Sequence, residues 1–382
     1  MNIGIFTDTF VPQINGVVTV VRNLQEGLTK KNHNVYVFTV NHPKAKPMDN
    51  VFRVSSIKFL NEPQHRIGLP FSANIMKLAK KMKLDIIHTH TEFSMWFQAT
   101  FVAKRYKIPI VHTMHTMYEE YVHYVPFFEY FAEGTIRSWV KMICKNAEAF
   151  IVPSQKAKEF LLRYNVYKPI KIIPNGVDLS KFYKLPENNN PKIMEFRNKY
   201  GISARDKVLI FVGRLGKEKD ISTLLFILRK LTQINPYVKL LLVGDGPERK
   251  NLKSLSKEMK IEKNTIFTGY LSWPEEVSLA YNASDLAVVA SHTESFGLMV
   301  PEAMACGLPV VAKNDPSFVR FIENGKNGFL CENKEKMTEV INSLINDDDK
   351  CSLMAEYSRH LAKKFSAEQN VRHTLELYKS II

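Results

Sequence analysis

Two carboxylates, Glu294 and Glu302, stand eight residues apart, and Ser295-Phe296-Gly297-Leu298 follows the first of them. Carboxylates accept hydrogen bonds from hydroxyls, and the free N–H groups that open a helix attract anions. A helix beginning between these acids would make a cradle for an anion that carries a polyhydroxylated group. Arg214 and Lys219 follow another apolar run, and an arginine can grip a diphosphate with two parallel bonds. Gly213, Gly244 and the Gly269-Tyr270 pair close further apolar runs. Glycine there lets backbone approach a ligand closely. Each feature alone has a plainer reading: two surface glutamates, two solvated cations, ordinary turns.

Histidines gather in two other stretches, His88 and His90 in HTHTEF and His112 and His115 in VHTMHTMYEE. Metal binding is one reading, although zinc sites usually add cysteines or acids in recognisable spacing. His88 and His112 each continue an apolar run, which suits buried, hydrogen-bonded rings. His115 lies just beyond its run, where a side chain meets a ligand. Glu92 either reaches an acceptor hydroxyl or orients a histidine. No DxD-type acidic pair ends a strand convincingly, so no catalytic metal and no cofactor is expected.

The elements that hold these residues alternate. Short apolar runs predict strands over Asn2–Phe6, Val35–Val40, Val51–Val54, Leu84–His88, Ile108–Val111, Phe150–Val152 and Ile170–Ile173. The second half repeats this over Lys207–Val212, Val238–Val243, Thr265–Thr268 and Leu286–Ala290, with helices between. Such alternation predicts α/β architecture, with two doubly wound, Rossmann-like domains facing across a cleft. Ligands in such folds meet the carboxyl ends of the strands, which is where the residues above fall. The expected domains are 1–180 and 181–365, separated near the linker-like Leu185–Pro191. Residues 366–382 are expected to form a closing helix.

The chain carries a formal charge of +15. Residues 1–181 hold 24 Lys/Arg against 13 Asp/Glu, and the remainder 29 against 25. A basic first half suits an anionic membrane surface or a nucleic acid, or serves solubility alone. No zinc finger, RNP-like strand or helix-turn-helix pattern favours nucleic acid. Ile75, Leu78, Ala79 and Met82 fall on one helical face, with Lys77, Lys80, Lys81 and Lys83 around them. Such a helix either lies in an anionic interface or packs on its own sheet. Tyr118, Tyr121, Phe127 and Phe128 belong to an aromatic-rich run suited to an apolar chain beneath a polar head group. Neither a signal peptide nor a stretch of transmembrane length is found. The four cysteines lack CxxC spacing, so a cytoplasmic protein with reduced thiols is expected.

GRLGKEKD, LLVGDGPERK, PNGVD, PQINGVV and the eight-residue spacing of acids in SHTESFGLMVPEAMACGLPVVA together resemble the retaining glycosyltransferases of family 4, with the GT-B fold. THTEFSM and MHTMYEEYVHYV look most like the bacterial 1,2-diacylglycerol 3-glucosyltransferases in that family. The resemblance implies transfer of a hexose, glucose or galactose, from a UDP-sugar to diacylglycerol at the inner face of the cell membrane. An acceptor in cell-envelope polysaccharide synthesis, saccharide or polyprenyl-linked, is the alternative. A non-catalytic binding protein is less favoured. By the same resemblance Arg214 and Lys219 hold the donor diphosphate, Glu302 the ribose and Glu294 the donor sugar. Backbone N–H groups of Ser295 to Leu298 hold phosphate or sugar oxygens. Gly16 lets the first loop approach the phosphate, and His115 lies near the reacting carbon.

Overall fold

The structure is a computed structural model of the chain. It describes every residue except 14, 59–65, 70, 116–131, 187–189, 292, 293 and 295, and only the backbone of 132–137. Two compact units are present, one formed by Met1–Gly176 with Ala367–Ile382 and the other by Val177–Ser366.

In the first unit the chain forms β1 (Asn2–Thr7), α1 (Gly16–Lys30), β2 (Asn34–Val40), β3 (Val51–Val54), β4 (Ser56–Lys58), β5 (Arg66–Gly68) and α2 (Ala73–Met82). It continues through β6 (Ile86–Thr89), α3 (Ser94–Tyr106), β7 (Ile110–Thr113), α4 (Ala132–Asn146), β8 (Ala149–Val152), α5 (Gln155–Arg163) and β9 (Ile170–Ile172). Seven strands pair in the order β3-β2-β1-β6-β7-β8-β9. All six pairings are parallel, with Ile5 of β1 between Val37 and His88. Parallel strands are covered on both faces, so β1 needs apolar residues on both. Ile3 and Ile5 pack with Val21 and Leu24 of α1. Phe6 packs on the other face with Phe38 and Trp96. β4 and β5 make a separate antiparallel ladder.

The second unit contains α6 (Pro191–Lys199), β10 (Lys207–Val212), α7 (Ile221–Ile234), β11 (Val238–Val243), α8 (Arg249–Glu258), β12 (Thr265–Gly269) and α9 (Glu275–Asn282). Then come β13 (Leu286–Val289), α10 (Met299–Ala305), β14 (Val310–Lys313), β15 (Gly328–Cys331), α11 (Lys334–Ile345) and α12 (Asp348–Ala362). Its parallel sheet has the order β12-β11-β10-β13-β14-β15. The order reverses beside β10, which makes the carboxyl ends of β10 and β13 the natural ligand position. The last helix, α13 (Ala367–Lys379), belongs to the first unit and packs on α1. Gly27 permits this: a Cβ there would lie 2.5 Å from Val371 Cγ2.

Two expectations shift. β6 and β7 begin two residues later than the apolar runs and extend through Thr89 and Thr113, so His88 and His112 lie within strands. The end of the expected linker, Asn190-Pro191, opens α6. The Asn190 side chain accepts from the Lys192 N–H at 3.1 Å, and Pro191 takes the first helical position, where its missing N–H costs nothing.

Candidate active site

The donor-type residues come from loops that lock together at the strand ends of the second unit. After β10, Leu215 is fully buried, and its N–H donates to Asp245 O at 3.0 Å. Gly244 has φ +127°, and a Cβ there would lie 2.1 Å from Gly213 O. Gly244 and Gly246 therefore let the backbones of these two loops pack directly on one another, at Gly213 and Leu215. The packed loops aim the side chains between them. Lys219 ends a single 3-10 turn, Lys217–Lys219, and its Nζ donates to Glu294 Oε1 at 2.6 Å. The carbonyl of Glu294 accepts from Ser317 Oγ. Gly297, at φ +70°, could not carry a Cβ, which would meet Phe318 Cε1 at 2.8 Å.

Phe296 is buried and meets Phe321 edge-on at 4.9 Å. Its ring anchors the loop in the core, leaving only its backbone as a candidate ligand contact. Leu298 leads into α10, every residue of which is buried. Ser295 lies outside the described residues. Glu302, within α10, is 6% exposed. Burial pushes its carboxyl up to about 7 against hydrogen bonds from Tyr281 and Trp273, which favour the charged form. The Tyr281 hydroxyl donates to Glu302 Oε2 at 3.1 Å. Tyr270 is more than half exposed; partial desolvation and then the charge of Asp245 raise its phenol, with Arg214 opposing. Those influences gather Arg214, Asp245 and Tyr270 at one corner. Arg249 joins them through a 2.6 Å bond to Asp245 Oδ2. Tyr281, Trp273 and Arg249 carry no local sequence signal of these contacts. Tyr281 reads as an ordinary core aromatic, and only the packing of α9 against α10 reveals its partner.

In the first unit a chain of histidines crosses the ends of β6 and β7. His88 Nδ1 lies 2.5 Å from the Tyr378 hydroxyl, and its Nε2 lies 2.6 Å from Thr113 Oγ1. His112 bridges Thr89 Oγ1 at 2.8 Å and Glu92 Oε1 at 3.1 Å. Of the two roles considered for Glu92, the structure places it against a histidine, since both side chains are buried. His115, just past β7, is half-buried and contacts His90. Burial and then the like charge of His112 push its imidazole down to about 3. The loop that carries Glu92 is fixed by Asp8 at the end of β1. Its carboxylate accepts from Thr91 Oγ1 at 2.6 Å, Ser94 Oγ and the Met95 N–H at 3.1 Å. Asp8 thus caps α3 from another strand. Gly16 opens α1 as an exposed residue behind the Asn15 cap.

The basic helix resolves differently. Ile75 and Ala79 of α2 are buried, and Leu78 and Met82 pack against the same core. Its apolar face is therefore spent on its own sheet, while Lys77, Lys80 and Lys81 are exposed. Among the exposed apolar residues of this unit are Ile57, Ile67, Leu69, Phe71 and Phe101, and Phe71 meets Phe101 edge-on at 5.7 Å. Tyr118, Tyr121, Phe127 and Phe128 lie outside the described residues. Among those described, no helix is long and apolar enough to cross a membrane.

Residues 14–181 match the description Glycosyltransferase Family 4, and residues 192–361 match Glycosyl transferases group 1. The chain is 33% identical to an alpha-monoglucosyldiacylglycerol synthase of Streptococcus pneumoniae, over 86% of this chain and 75% of that protein. It is 32% identical to one from Acholeplasma laidlawii, over 100% and 98%. The chain belongs to glycosyltransferase family 4. A further relative of this family 4 glycosyltransferase is a D-inositol 3-phosphate glycosyltransferase of Corynebacterium jeikeium, 27% identical over 96% of this chain and 92% of that one. The fold is GT-B. The Anabaena protein Alr3699/HepE in complex with UDP-glucose superposes with TM-score 0.79 at 22% identity, covering 99% of both chains. Within the family 4 enzyme, Arg214, Lys219, Glu294 and Glu302 belong to the second unit, and Glu92 and His115 to the first.

Proposed function

We propose that this enzyme transfers a hexose, preferentially glucose, from a UDP-sugar to the free hydroxyl of 1,2-diacylglycerol, with retention at the anomeric carbon. The observation that carries the reading is the Lys219–Glu294 pair at the strand ends of the second unit. It offers a cation to a diphosphate and a carboxylate to sugar hydroxyls, in a chain 32% identical end to end to an alpha-monoglucosyldiacylglycerol synthase.

As UDP leaves, negative charge grows on its β-phosphate. Fixed cations that meet it act where the transition state differs from the ground state. Arg214 and Lys219 supply that charge, so the reaction as proposed needs no metal. Glu302 accepts from ribose hydroxyls and Glu294 from the sugar, and neither serves as general acid or base. The leaving phosphate takes the acceptor proton on the same face of the sugar. The enzyme works as a peripheral protein on the cytoplasmic side of the membrane. Lys77, Lys80 and Lys81 face anionic lipid there, beside the exposed Leu69 and Phe71.

A small soluble acceptor is the second reading, favoured by the likeness to an inositol phosphate glycosyltransferase. An acceptor panel separates the two. With labelled UDP-glucose or UDP-galactose, diacylglycerol in anionic vesicles should yield a chloroform-soluble glycolipid, and inositol 3-phosphate should yield no labelled product. A water-soluble product formed only with the inositol acceptor would reverse the assignment.

A further inference from the structure

We infer that His90 is a positioning residue that holds His115 in its Nδ1–H tautomer, so that His115 meets substrate as a hydrogen-bond donor. The inference deepens the proposed function and rests on His115 serving the transfer reaction. It begins from the parallel pairing of β6 with β7, which sets Thr89 opposite His112. The residues just past those strands are thereby brought side by side. His90 Nδ1 lies 3.0 Å from His115 Nε2, and the two rings stack at 5.3 Å with 18° between planes. The His90 backbone is fixed too, its N–H donating to Phe6 O at 3.0 Å.

Both rings are neutral near pH 7. Burial is the first cause for each, and neighbouring histidines add to it. A contact between two neutral imidazole nitrogens holds one proton, so it has two arrangements. In one, His90 Nδ1–H donates to the Nε2 lone pair of His115, and the second proton of the pair sits on His115 Nδ1. In the other, His115 Nε2–H donates to His90 Nδ1, and His90 carries its proton on Nε2. That Nε2 is buried and meets no hydrogen-bond partner among the described residues. His88, whose ring lies 4.1 Å from that of His90 at a 38° tilt, gives no relief, because its own nitrogens face Tyr378 and Thr113. The second arrangement therefore strands a buried N–H, while the first strands only a lone pair. A buried donor without an acceptor is the rarer and costlier of the two. In the favoured arrangement His115 Nε2 is occupied by His90, and its Nδ1–H has no partner among the described residues. This nitrogen can donate to a substrate oxygen and cannot act as a base.

Two-bond ¹H–¹⁵N spectra of the full chain with ¹⁵N-labelled histidine test this, with His115 assigned by the signals lost in His115→Gln. Near neutral pH, the wild type and His90→Asn, whose amide N–H replaces the ring donor, should both show His115 protonated on Nδ1. In His90→Leu, His115 should move to the Nε2–H form that an unconstrained histidine side chain prefers. Turnover should fall about tenfold in His90→Leu, the weight of one neutral hydrogen bond, and recover in His90→Asn. An Nε2–H form in the wild type overturns the inference, as does an unchanged tautomer in His90→Leu. Normal turnover by His115→Gln overturns the catalytic reading of His115 instead, a failure that the spectra distinguish from a wrong tautomer.

Discussion

Lys219 Nζ lies 2.6 Å from Glu294 Oε1, and both side chains are only 14% exposed. Each neutralises the other where neither is well solvated, so neither is left as an unpaired charge. On the proposed reading the pair is a placeholder. A donor diphosphate draws the ammonium, and a sugar hydroxyl takes up the carboxylate.

Lys219→Met should lower hexose transfer about a hundredfold or more, as removal of a charge aimed at the leaving group does. Far-UV circular dichroism should remain that of the wild type. Near-normal turnover in a folded variant would remove Lys219 from the site. Glu302→Ala is expected to lose activity in the same way.

The same ion pair predicts a stability coupling. Lys219→Met leaves Glu294 without its partner and should cost about 1–3 kcal/mol in urea unfolding. Adding Glu294→Gln should recover part of that loss. Strictly additive losses in the double variant would show that the contact carries no energy.

Glu302 gives a pH-dependent expectation. Its carboxyl stands at about 7 in the folded protein against an ordinary 4.5. The folded state thus keeps a proton that the unfolded chain releases. The group's contribution to stability is fully present below about 4.5 and is lost as pH rises through about 7. Glu302→Gln carries no such charge, so at pH 8 it should be the more stable protein by about 3 kcal/mol, with the gap narrowing towards pH 5. UDP affinity of the wild type should rise over the same pH interval as the carboxylate forms. Equal urea midpoint differences at both pH values would contradict the buried-acid account.

Gly244→Ala and Gly201→Ala separate steric exclusion from backbone strain. Both positions have positive φ, but only a Cβ at Gly244 meets backbone, at 2.1 Å from Gly213 O. Gly201 has nothing within 4 Å. Gly201→Ala should cost about 1 kcal/mol. Gly244→Ala should cost about 3 kcal/mol or more, because the loops after β10 and β11 must part. Equal costs would show that loop packing contributes nothing.

The strands that alternate with helices were legible because their runs are apolar on both faces, as Ile3, Ile5 and Phe6 in β1 show. α3 was not, since Met95, Trp96, Gln98, Ala99, Thr100, Val102 and Ala103 are buried and leave no clean amphipathic stripe. The placement of Arg214, Lys219 and Glu294 just after strands was legible from the apolar runs that precede them. Their partners were not: Tyr281 on Glu302 and His90 on His115 depend on helix packing and strand register, which no local pattern encodes. α2 shows the opposite difficulty. Its stripe is clear, and the fold alone decides that the stripe faces the sheet.

Label transfer from UDP-[¹⁴C]glucose into diacylglycerol held in anionic vesicles tests the central claim most directly. The wild type should give a single chloroform-soluble glycolipid whose anomeric proton reports an α linkage, and Lys219→Met should give almost none. The absence of any labelled lipid from folded protein would contradict the account.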